Sequence, residues 1–284
     1  GAVQVYVTPP DVKLDFLLPS PTGKRAVYAA LLRHIIAQRR HLRTFDVIHC
    51  HLTLGAVFGV LFRTFNGRTG PVVIETNHSA GMPMNDRVRW LRSHMARRFD
   101  EVALVVEDSF WRQQGKSLGF PVSLIANGIN MEAFARIERR PAAPGGKRTV
   151  GTVGMFRADR VPHVYVEIFK AVARQYAGGD LDFLWVGGGV GSDALMNEVR
   201  AAVQASDIGG RVTFFGVSRL PAEQAARMDV FVSLNVGPLT GLGGIEAAAV
   251  GTPLVGYQMD PGYVMSDNDW IWSSQDIELV AARV

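Results

Sequence analysis

Residues 229–257 read DVFVSLNVGPLTGLGGIEAAAVGTPLVGY, two apolar runs on either side of a glycine-rich turn. The first run, Val230–Leu234, is typical of a buried strand. A short helix carrying Glu246 follows the turn and leads to a second strand at 253–257. Such a turn presents backbone N–H groups at a helix N-terminus, where the helix dipole favours an anion and glycines let it approach. The stretch therefore predicts a diphosphate site.

Glu246 falls in the first turn of the predicted helix, beside the expected phosphate position. A carboxylate there can accept hydrogen bonds from sugar hydroxyls, which suits it better than standing next to a second anion. It can equally well complement the positive end of the helix dipole and bind nothing. The stretch alone leaves both interpretations open.

The composition restricts the class of protein. The chain has 284 residues, of which 48% are apolar and 20% charged, enough for two α/β domains of ordinary size. Its single cysteine, Cys50, excludes a disulfide framework and is typical of a reducing compartment such as the cytoplasm. The longest apolar run, at 54–62, is far shorter than the roughly 20 residues that a spanning helix needs.

Charge is distributed unevenly along the chain. Residues 1–150 hold 21 Lys and Arg against 11 Asp and Glu, a net +10, whereas residues 151–284 hold 9 against 15, a net −6. In the basic half, the predicted helix at 87–99 places Val88, Leu91 and Met95 on one face with Trp90 beside it. That pattern suits a peripheral contact with a membrane surface, although such stripes more commonly pack on their own domain. A nucleic acid is not expected, because the arginines lack interleaved stacking aromatics.

Strands alternate with helices on both sides of a charged stretch rich in proline and glycine. This rhythm predicts two doubly wound parallel-sheet domains, at 1–138 and 149–284, joined by a linker at 139–148 and facing each other across a cleft. The chain opens at Gly1 without a methionine and enters a strand-like run at 3–7 at once, as a chain that begins midway would. The first domain is therefore expected to be incomplete.

Three histidines are predicted at the carboxyl ends of strands, where open α/β sheets bind ligands. His49 and His51 end the strand at 45–51, and His78 follows the strand at 72–76. Taken singly, each is more often a hydrogen-bonded structural residue. Because no further Cys or His stands at a zinc-like spacing, we expect no metal site.

Arg157 and Arg160 follow the first strand of the second half. Guanidinium groups match phosphate oxygens, so this pair could neutralise a diphosphate leaving group, or one arginine could simply pair with Asp159. Nearby, Gly189-x-Gly191-x-x-Ala194 fits a dinucleotide fingerprint, but the next strand offers no acidic residue for a ribose. Hydride transfer is therefore disfavoured.

Taken together, seven segments in order resemble the retaining glycosyltransferases of family 4, which have the GT-B fold of two Rossmann-like domains. The resemblance implies transfer of a sugar, of hexosyltransferase type, from a nucleoside-diphosphate donor held mainly by the second domain. It implies a glycan, lipid or small-molecule acceptor held mainly by the first domain, as in cell-envelope polysaccharide synthesis, with retention of configuration and no required metal or cofactor. The segments are DVIHCH, ETNHSAG, SLIANGIN, VGTVGMFRADR, LWVGGG, RVTFFGV and MDVFVSLNVGPLTGLGGIEAAAVGTPLV.

Donor contacts implied by this resemblance lie around the glycine-rich turn. Glu246 matches the glutamate that holds the donor ribose, and Gly241 with Leu242 matches the backbone around the donor phosphates. Thr240 and Gly243 flank that backbone and are expected to bind the donor with it.

Catalytic residues implied by the resemblance come from both halves. His78 matches the histidine near the reacting centre, and Arg160 matches the basic residue, usually lysine, on the diphosphate. The arginine expected after the glycine of the family motif falls on Met155, and Arg157 is the candidate substitute. Pro238 stands where the family has a glutamate close to the transferred sugar. The departures keep two alternatives open, a non-catalytic binder of a nucleotide sugar or glycan and a nucleotide-sugar epimerase.

Overall fold

The computed structural model describes residues 24–78, 84–176, 180–188, 193–234, 241–258 and 271–284. The run at 3–7, the fingerprint at 189–192, Pro238 and Thr240 lie outside the described residues. The chain divides into two compact units, Gly1–Ile125 and Ala126–Val284.

The first unit is built on a parallel sheet of four strands in the order β1-β2-β3-β4. Polar side chains fix where two of its helices begin, since Asn85 is the N-cap residue of α4 and Asp108 that of α5. Its strands are β1 Val47–His51, β2 Val72–Asn77, β3 Glu101–Leu104 and β4 Val122–Leu124. Its helices are α1 Lys24–Ala37, α2 Arg39–Leu42, α3 Leu52–Asn66, α4 Asp86–Ala96 and α5 Ser109–Leu118.

The second unit is built on a parallel sheet of six strands in the order β10-β9-β8-β5-β6-β7. Its strands are β5 Arg148–Val153, β6 Leu181–Val186, β7 Val212–Gly216, β8 Val230–Leu234, β9 Leu254–Tyr257 and β10 Ile271–Ser274. Its helices are α6 Met131–Phe134, α7 Pro162–Gln175, α8 Ala194–Gln204, α9 Pro221–Ala225, α10 Leu242–Ala249 and α11 Ile277–Arg283, with a 3-10 turn at Ala158–Arg160 and another at Gly209–Arg211.

The strand order of the second unit places a topological switch point between β5 and β8. From β5 the chain moves outward through β6 and β7, and it then returns to the other side of β5 to form β8, β9 and β10. Ligands of open α/β sheets bind in the crevice outside the carboxyl ends of the strands at such a point. The prediction of two Rossmann-like parallel-sheet domains is confirmed, and the ends of β5 and β8 are where the second unit should bind its ligand.

Aromatic side chains fill the core of the second unit beside this edge. Phe169 of α7 stacks on Phe183 of β6 with centroids 4.6 Å apart, and Phe156 stacks on Trp185 at 4.7 Å. At the end of β6, Gly187 has φ +148°, and a Cβ there would stand 1.9 Å from the carbonyl oxygen of Gly154. Glycine at this position therefore lets the ends of β5 and β6 approach closely.

The two units divide N-terminal to the predicted linker. The division lies at Ile125 and Ala126, and residues of the 139–148 segment bind the second unit. The N–H of Ala142 donates to Oδ1 of Asp229 at 3.0 Å, and the N–H of Arg140 donates to the carbonyl of Ala226 at 2.8 Å. Acceptors on Asp229 and Ala226 thus hold the 139–148 segment in place, although its composition alone is typical of a flexible linker.

Helix α4 exposes Val88 and Leu91 of its apolar stripe and leaves Met95 partly buried, which differs from the commoner expectation that the stripe packs on its own domain. Val88 is 42% exposed and Leu91 53%, whereas the fully buried positions of the helix are Ser93 and Ala96. Arg92 reaches inward to form an ion pair with Glu75 of β2. The need of that buried carboxylate for a partner accounts for the orientation of the helix.

In the described ranges, no helix combines the length and the apolarity needed to cross a bilayer.

Candidate active site

The N-terminus of α10 lies at the carboxyl edge of β8, beside β5. The helix begins at Leu242 with Gly241 as its N-cap residue, and no side chain caps it. Among the described residues, no side chain accepts from the N–H groups of its first turn, and a helix N-terminus in that state can bind an anion. The expectation that Glu246 stands in the first turn was wrong, because Gly243 and Gly244 continue the helix and place Glu246 one turn further on.

The glycines at this helix start have different physical roles. A Cβ on Gly241 would meet no atom of the described residues within 4 Å, so they leave the space beside it open. A Cβ on Gly243 would stand 3.0 Å from the carbonyl oxygen of Val153 and 3.3 Å from its Cβ. Gly241 thus leaves room for a ligand, whereas Gly243 lets α10 pack against the end of β5. Leu242, between them, is 47% exposed.

Glu246 is a half-buried carboxylate. It makes no hydrogen bond or ion pair with any other residue that the structure describes. Burial raises the pKa of its carboxyl group. Its position beyond the first turn weakens the interpretation as a partner of the helix dipole, whose effect is confined to that turn. A polar ligand at the edge of β5 and β8 would supply a partner that the described residues do not provide.

Arg157 and Arg160 lie at the same edge, on the segment that follows β5. Arg157 precedes the 3-10 turn Ala158–Arg160, and both arginines are exposed. Val161 follows at φ +38°, a left-handed conformation that is strained for a β-branched residue. Strain of this kind is often retained where it fixes a functional segment. The structure therefore brings two guanidinium groups and the start of α10 to neighbouring strand ends.

Tyr165 is a residue of this region that the sequence pattern did not single out. Its hydroxyl accepts a hydrogen bond from the N–H of Leu234 at 3.0 Å, where β8 ends. Burial raises the pKa of this phenol. Tyr165 thus ties α7 to the end of β8 beneath the edge. A tyrosine among the core positions of an amphipathic helix gives no signal of that role in the sequence.

In the first unit, the three predicted histidines form one cluster at the ends of β1 and β2. Nδ1 of His51 lies 2.9 Å from Nε2 of His78, and Nε2 of His49 lies 2.7 Å from Oγ1 of Thr76. The rings of His49 and His51 pack with centroids 4.1 Å apart. The register pairs His51 with Thr76, so alternate residues of both strands reach the same side of the sheet.

Cys50 lies between these histidines in sequence but points to the opposite face of the sheet. It is 3% exposed, and burial, reinforced by the charge of Glu75, raises the pKa of its thiol to about 12. A thiol so far from ionisation is not a nucleophile at neutral pH. Across the described segments, no group of three or more His, Cys, Asp or Glu is arranged to hold a metal ion.

Comparison with protein families covers nearly the whole chain. Residues 3–133 match the model described as Glycosyltransferase Family 4, and residues 147–284 match the model described as Glycosyl transferases group 1. The chain belongs to these glycosyltransferases. The resemblance found in the seven motifs is thereby confirmed.

Solved structures show the GT-B fold of this glycosyltransferase. HepE of Anabaena, in complex with UDP and glucose, is 14% identical with a TM-score of 0.68, and the match covers 91% of this chain and 70% of HepE. A mutant of S. aureus TarM, in complex with fondaparinux, alpha-GlcNAc-glycerol and UDP, is 14% identical with a TM-score of 0.66. That match covers 90% of this chain and 50% of TarM, so the chain spans about half the length of that relative.

A third solved structure, from E. coli, is named for trehalose-6-phosphate and is bound with UDP-2-fluoro glucose. It is 13% identical with a TM-score of 0.70, and the match covers 92% of this chain and 70% of that one. A comparison with curated protein sequences finds no significant match to this glycosyltransferase. At these identities the structural matches establish the fold.

Proposed function

We propose that this chain transfers a sugar from a nucleoside-diphosphate donor to an acceptor hydroxyl with retention of configuration. The observation that carries the proposal is the half-buried Glu246 carboxylate, which lacks a described partner at the switch point of the second unit. Ribose hydroxyls are donors that such a carboxylate can accept from. The bound UDP or UDP-sugar named for the three solved relatives favours uridine as the base to test first.

The diphosphate is assigned to the open N-terminus of α10, where Thr240, Gly241, Leu242 and Gly243 provide the backbone. Arg160, with Arg157, neutralises the charge that grows on the diphosphate as the bond to the anomeric carbon breaks. The acceptor oxygen bonds to that carbon on the face the diphosphate leaves, and its proton departs with the phosphate oxygen. Configuration is thereby retained. Positioning and electrostatics supply the rate without a metal or cofactor.

His78 is assigned to the transferred sugar, because a histidine can orient or polarise a hydroxyl through a ring nitrogen. The acceptor is a glycan, a lipid-linked saccharide or a small molecule, and the first unit is assigned to it. We expect the product to be a hexoside of a cell-envelope type.

The acceptor side is further proposed to lie against an anionic lipid surface, with the protein peripheral on the cytoplasmic face. Trp90 is 62% exposed and Leu91 53%, one turn after the exposed Arg87 on the same face of α4. Arg97 and Arg98 follow the end of the helix and are also exposed. An apolar pair among exposed arginines complements acyl chains and anionic head groups.

Radiolabelled UDP-glucose, UDP-galactose and UDP-GlcNAc, each with and without a panel of acceptors, test the transfer. We expect acceptor-dependent transfer of label with the anomeric configuration of the donor. Glu246→Gln should weaken UDP binding about 10- to 100-fold, which is the usual loss for a charged hydrogen bond. Arg160→Ala should lower kcat about 100-fold or more, which is the scale of a lost electrostatic contact in the transition state.

Glu138→Gln and Arg140→Ala are matched controls, because their side chains are 82% and 76% exposed. Both should behave as wild type. An inverted product, or an Arg160→Ala variant with unchanged turnover, would contradict the proposal. UDP binding without transfer to any acceptor would favour the non-catalytic alternative that Pro238 suggests. Conversion of the donor sugar in the absence of acceptor would favour an epimerase.

A further inference from the structure

We propose that His51 is a positioning residue for His78. It engages Nε2 of the His78 ring, which leaves Nδ1 of that ring for the sugar. The contact also limits the two imidazoles to one positive charge between them. The inference rests on the proposed function, in which His78 acts on the transferred sugar. His51 belongs to β1 and His78 follows β2, so the contact lies entirely within the first unit.

The distance of 2.9 Å between Nδ1 of His51 and Nε2 of His78 is that of a hydrogen bond. Since a neutral imidazole carries one N–H and one acceptor nitrogen, one of these atoms must donate and the other accept. Whichever donates, Nε2 of His78 is engaged. Nδ1 is then the nitrogen of His78 that remains for a ligand.

Backbone geometry fixes His51 at this place. It is the last residue of β1 and the N-cap residue of α3, and Leu52 follows it at φ +61°. That left-handed conformation is unusual for leucine, and the side chain of Leu52 is 63% exposed, so its own burial gives little in return. Strain without packing gain is typical of a segment whose conformation serves a site.

Packing holds the His51 ring from the other side. The ring of His49, two residues earlier on the same strand, lies against it with centroids 4.1 Å apart. His49 is itself held by Thr76 of β2 at 2.7 Å. The contact between His51 and His78 is therefore supported by a second link between the same two strands.

The charges around the pair favour a single proton. Two imidazolium rings would each direct an N–H at the other across 2.9 Å, which breaks the hydrogen bond. Burial, then the neighbouring His49 and His78, lower the pKa of His51. With one added proton the pair keeps its hydrogen bond, because the neutral ring accepts from the protonated one.

Carboxylates near these strands are otherwise engaged. Glu75 of β2 points to the opposite face, where it pairs with Arg92. Beyond the end of the neighbouring β3, Glu107 pairs with Arg112, and the Asp108 side chain caps α5. In the described part of the first unit, the titratable side chains that act on His51 are thus those of His49 and His78.

The test combines NMR titration with pH profiles of transfer on the full chain. In the ¹⁵N-histidine-labelled protein without substrate, we expect the His51 and His78 signals to share two macroscopic titration steps. His51→Asn removes one titrating group and keeps a polar atom near the Nδ1 position, so His78 should titrate in one step. His41→Asn, a change at an exposed histidine of the same unit, should leave both steps in place.

The kcat/KM of transfer should depend on the hydrogen bond between His51 and His78. As pH falls, the second proton separates the pair and misplaces His78, which produces the acid limb of kcat/KM. In His51→Asn the contact survives protonation of His78, so this limb should move to lower pH with near-normal activity at neutral pH. His51→Phe, which offers no partner, should lower kcat/KM about 10- to 100-fold at every pH, the usual cost of a misplaced group.

Independent titration of the two histidines, or His51→Phe with wild-type kcat/KM across the pH range, would overturn the proposal. A wild-type chain that transfers no sugar would refute the proposed function instead. The NMR titration would still decide the contact in that case, because it needs no substrate.

Discussion

Glu246 lies at the proposed donor site, and its partial burial disfavours the charged form of its carboxyl group. Because burial raises the pKa of its carboxyl group above the ordinary value of 4.5, the folded chain holds this proton more tightly than the unfolded chain does. The free energy of unfolding therefore declines as pH rises from about 4.5 through the raised pKa. We expect Glu246→Gln to have a higher Tm than wild type at pH 7, with the difference vanishing below about pH 4.

Thermal unfolding of wild type and Glu246→Gln between pH 3.5 and 8 measures this difference, with Glu138→Gln as the exposed control. A variant that is less stable at pH 7 would show that the carboxylate has a structural partner. If the expected gain in stability accompanies weaker UDP binding, the residue is held at a cost in stability for its ligand.

The sequence predicted where the candidate ligand-binding residues lie better than what each one contacts. The turn before Glu246, the arginines after β5 and the histidines after β1 and β2 could be located because strand ends are visible in the apolar pattern. The hydrogen bond between His51 and His78 could not, because it depends on the register of two strands and on side-chain rotamers. Gly243 shows the same limit, since its packing on Val153 depends on how α10 approaches β5.

At the scale of elements, α4 shows why an amphipathic pattern does not fix which face is buried. Its stripe of Val88 and Leu91 predicts a core-facing side, yet the head group of Arg92 turns inward to Glu75, which is 1% exposed. A buried carboxylate without a partner costs more than leaving two apolar side chains in water. The sequence does not show this, because charges on helices are usually solvated.

The outward face of α4 predicts binding to anionic vesicles. The full chain should sediment with vesicles of phosphatidylglycerol and phosphatidylcholine, and much less with phosphatidylcholine alone or in 0.5 M salt, because salt screens the arginines. Leu91→Ala should weaken binding about 30-fold, since a buried leucine side chain contributes roughly 2 kcal/mol. Trp90→Ala should weaken it at least as much.

Leu220→Ala is the matched control, because Leu220 in the second unit is exposed to the same 53% as Leu91. If the two leucine variants bind vesicles equally, the contact is not through α4. Equal binding to neutral and anionic vesicles would contradict the proposed contact between the arginines and anionic head groups.

At the scale of the whole molecule, the sequence predicted two domains and placed their boundary by composition. Proline, glycine and charge at 139–148 are typical of a linker, but the compact units divide at Ile125 and Ala126. The difference arises because Phe134 and Ile137 pack on the core of the second unit. Two apolar side chains in an otherwise polar stretch are too weak a pattern to indicate such packing from the sequence.

This boundary predicts how two fragments of the second unit differ in stability. Fragments 126–284 and 147–284 both contain all of β5, but the shorter one lacks Phe134, Ile137 and the hydrogen bonds from Arg140 and Ala142. We expect both to fold, with the free energy of unfolding of 147–284 lower by about 3–5 kcal/mol, because a large core side chain contributes a few kcal/mol and each hydrogen bond about 1. Urea denaturation followed by circular dichroism measures the difference.

Phe134→Ala in 126–284 should reproduce a large part of the loss, whereas Arg136→Ala, an exposed change in the same segment, should not. Fragments of equal stability would place residues 126–146 outside the second unit and restore the linker as the boundary.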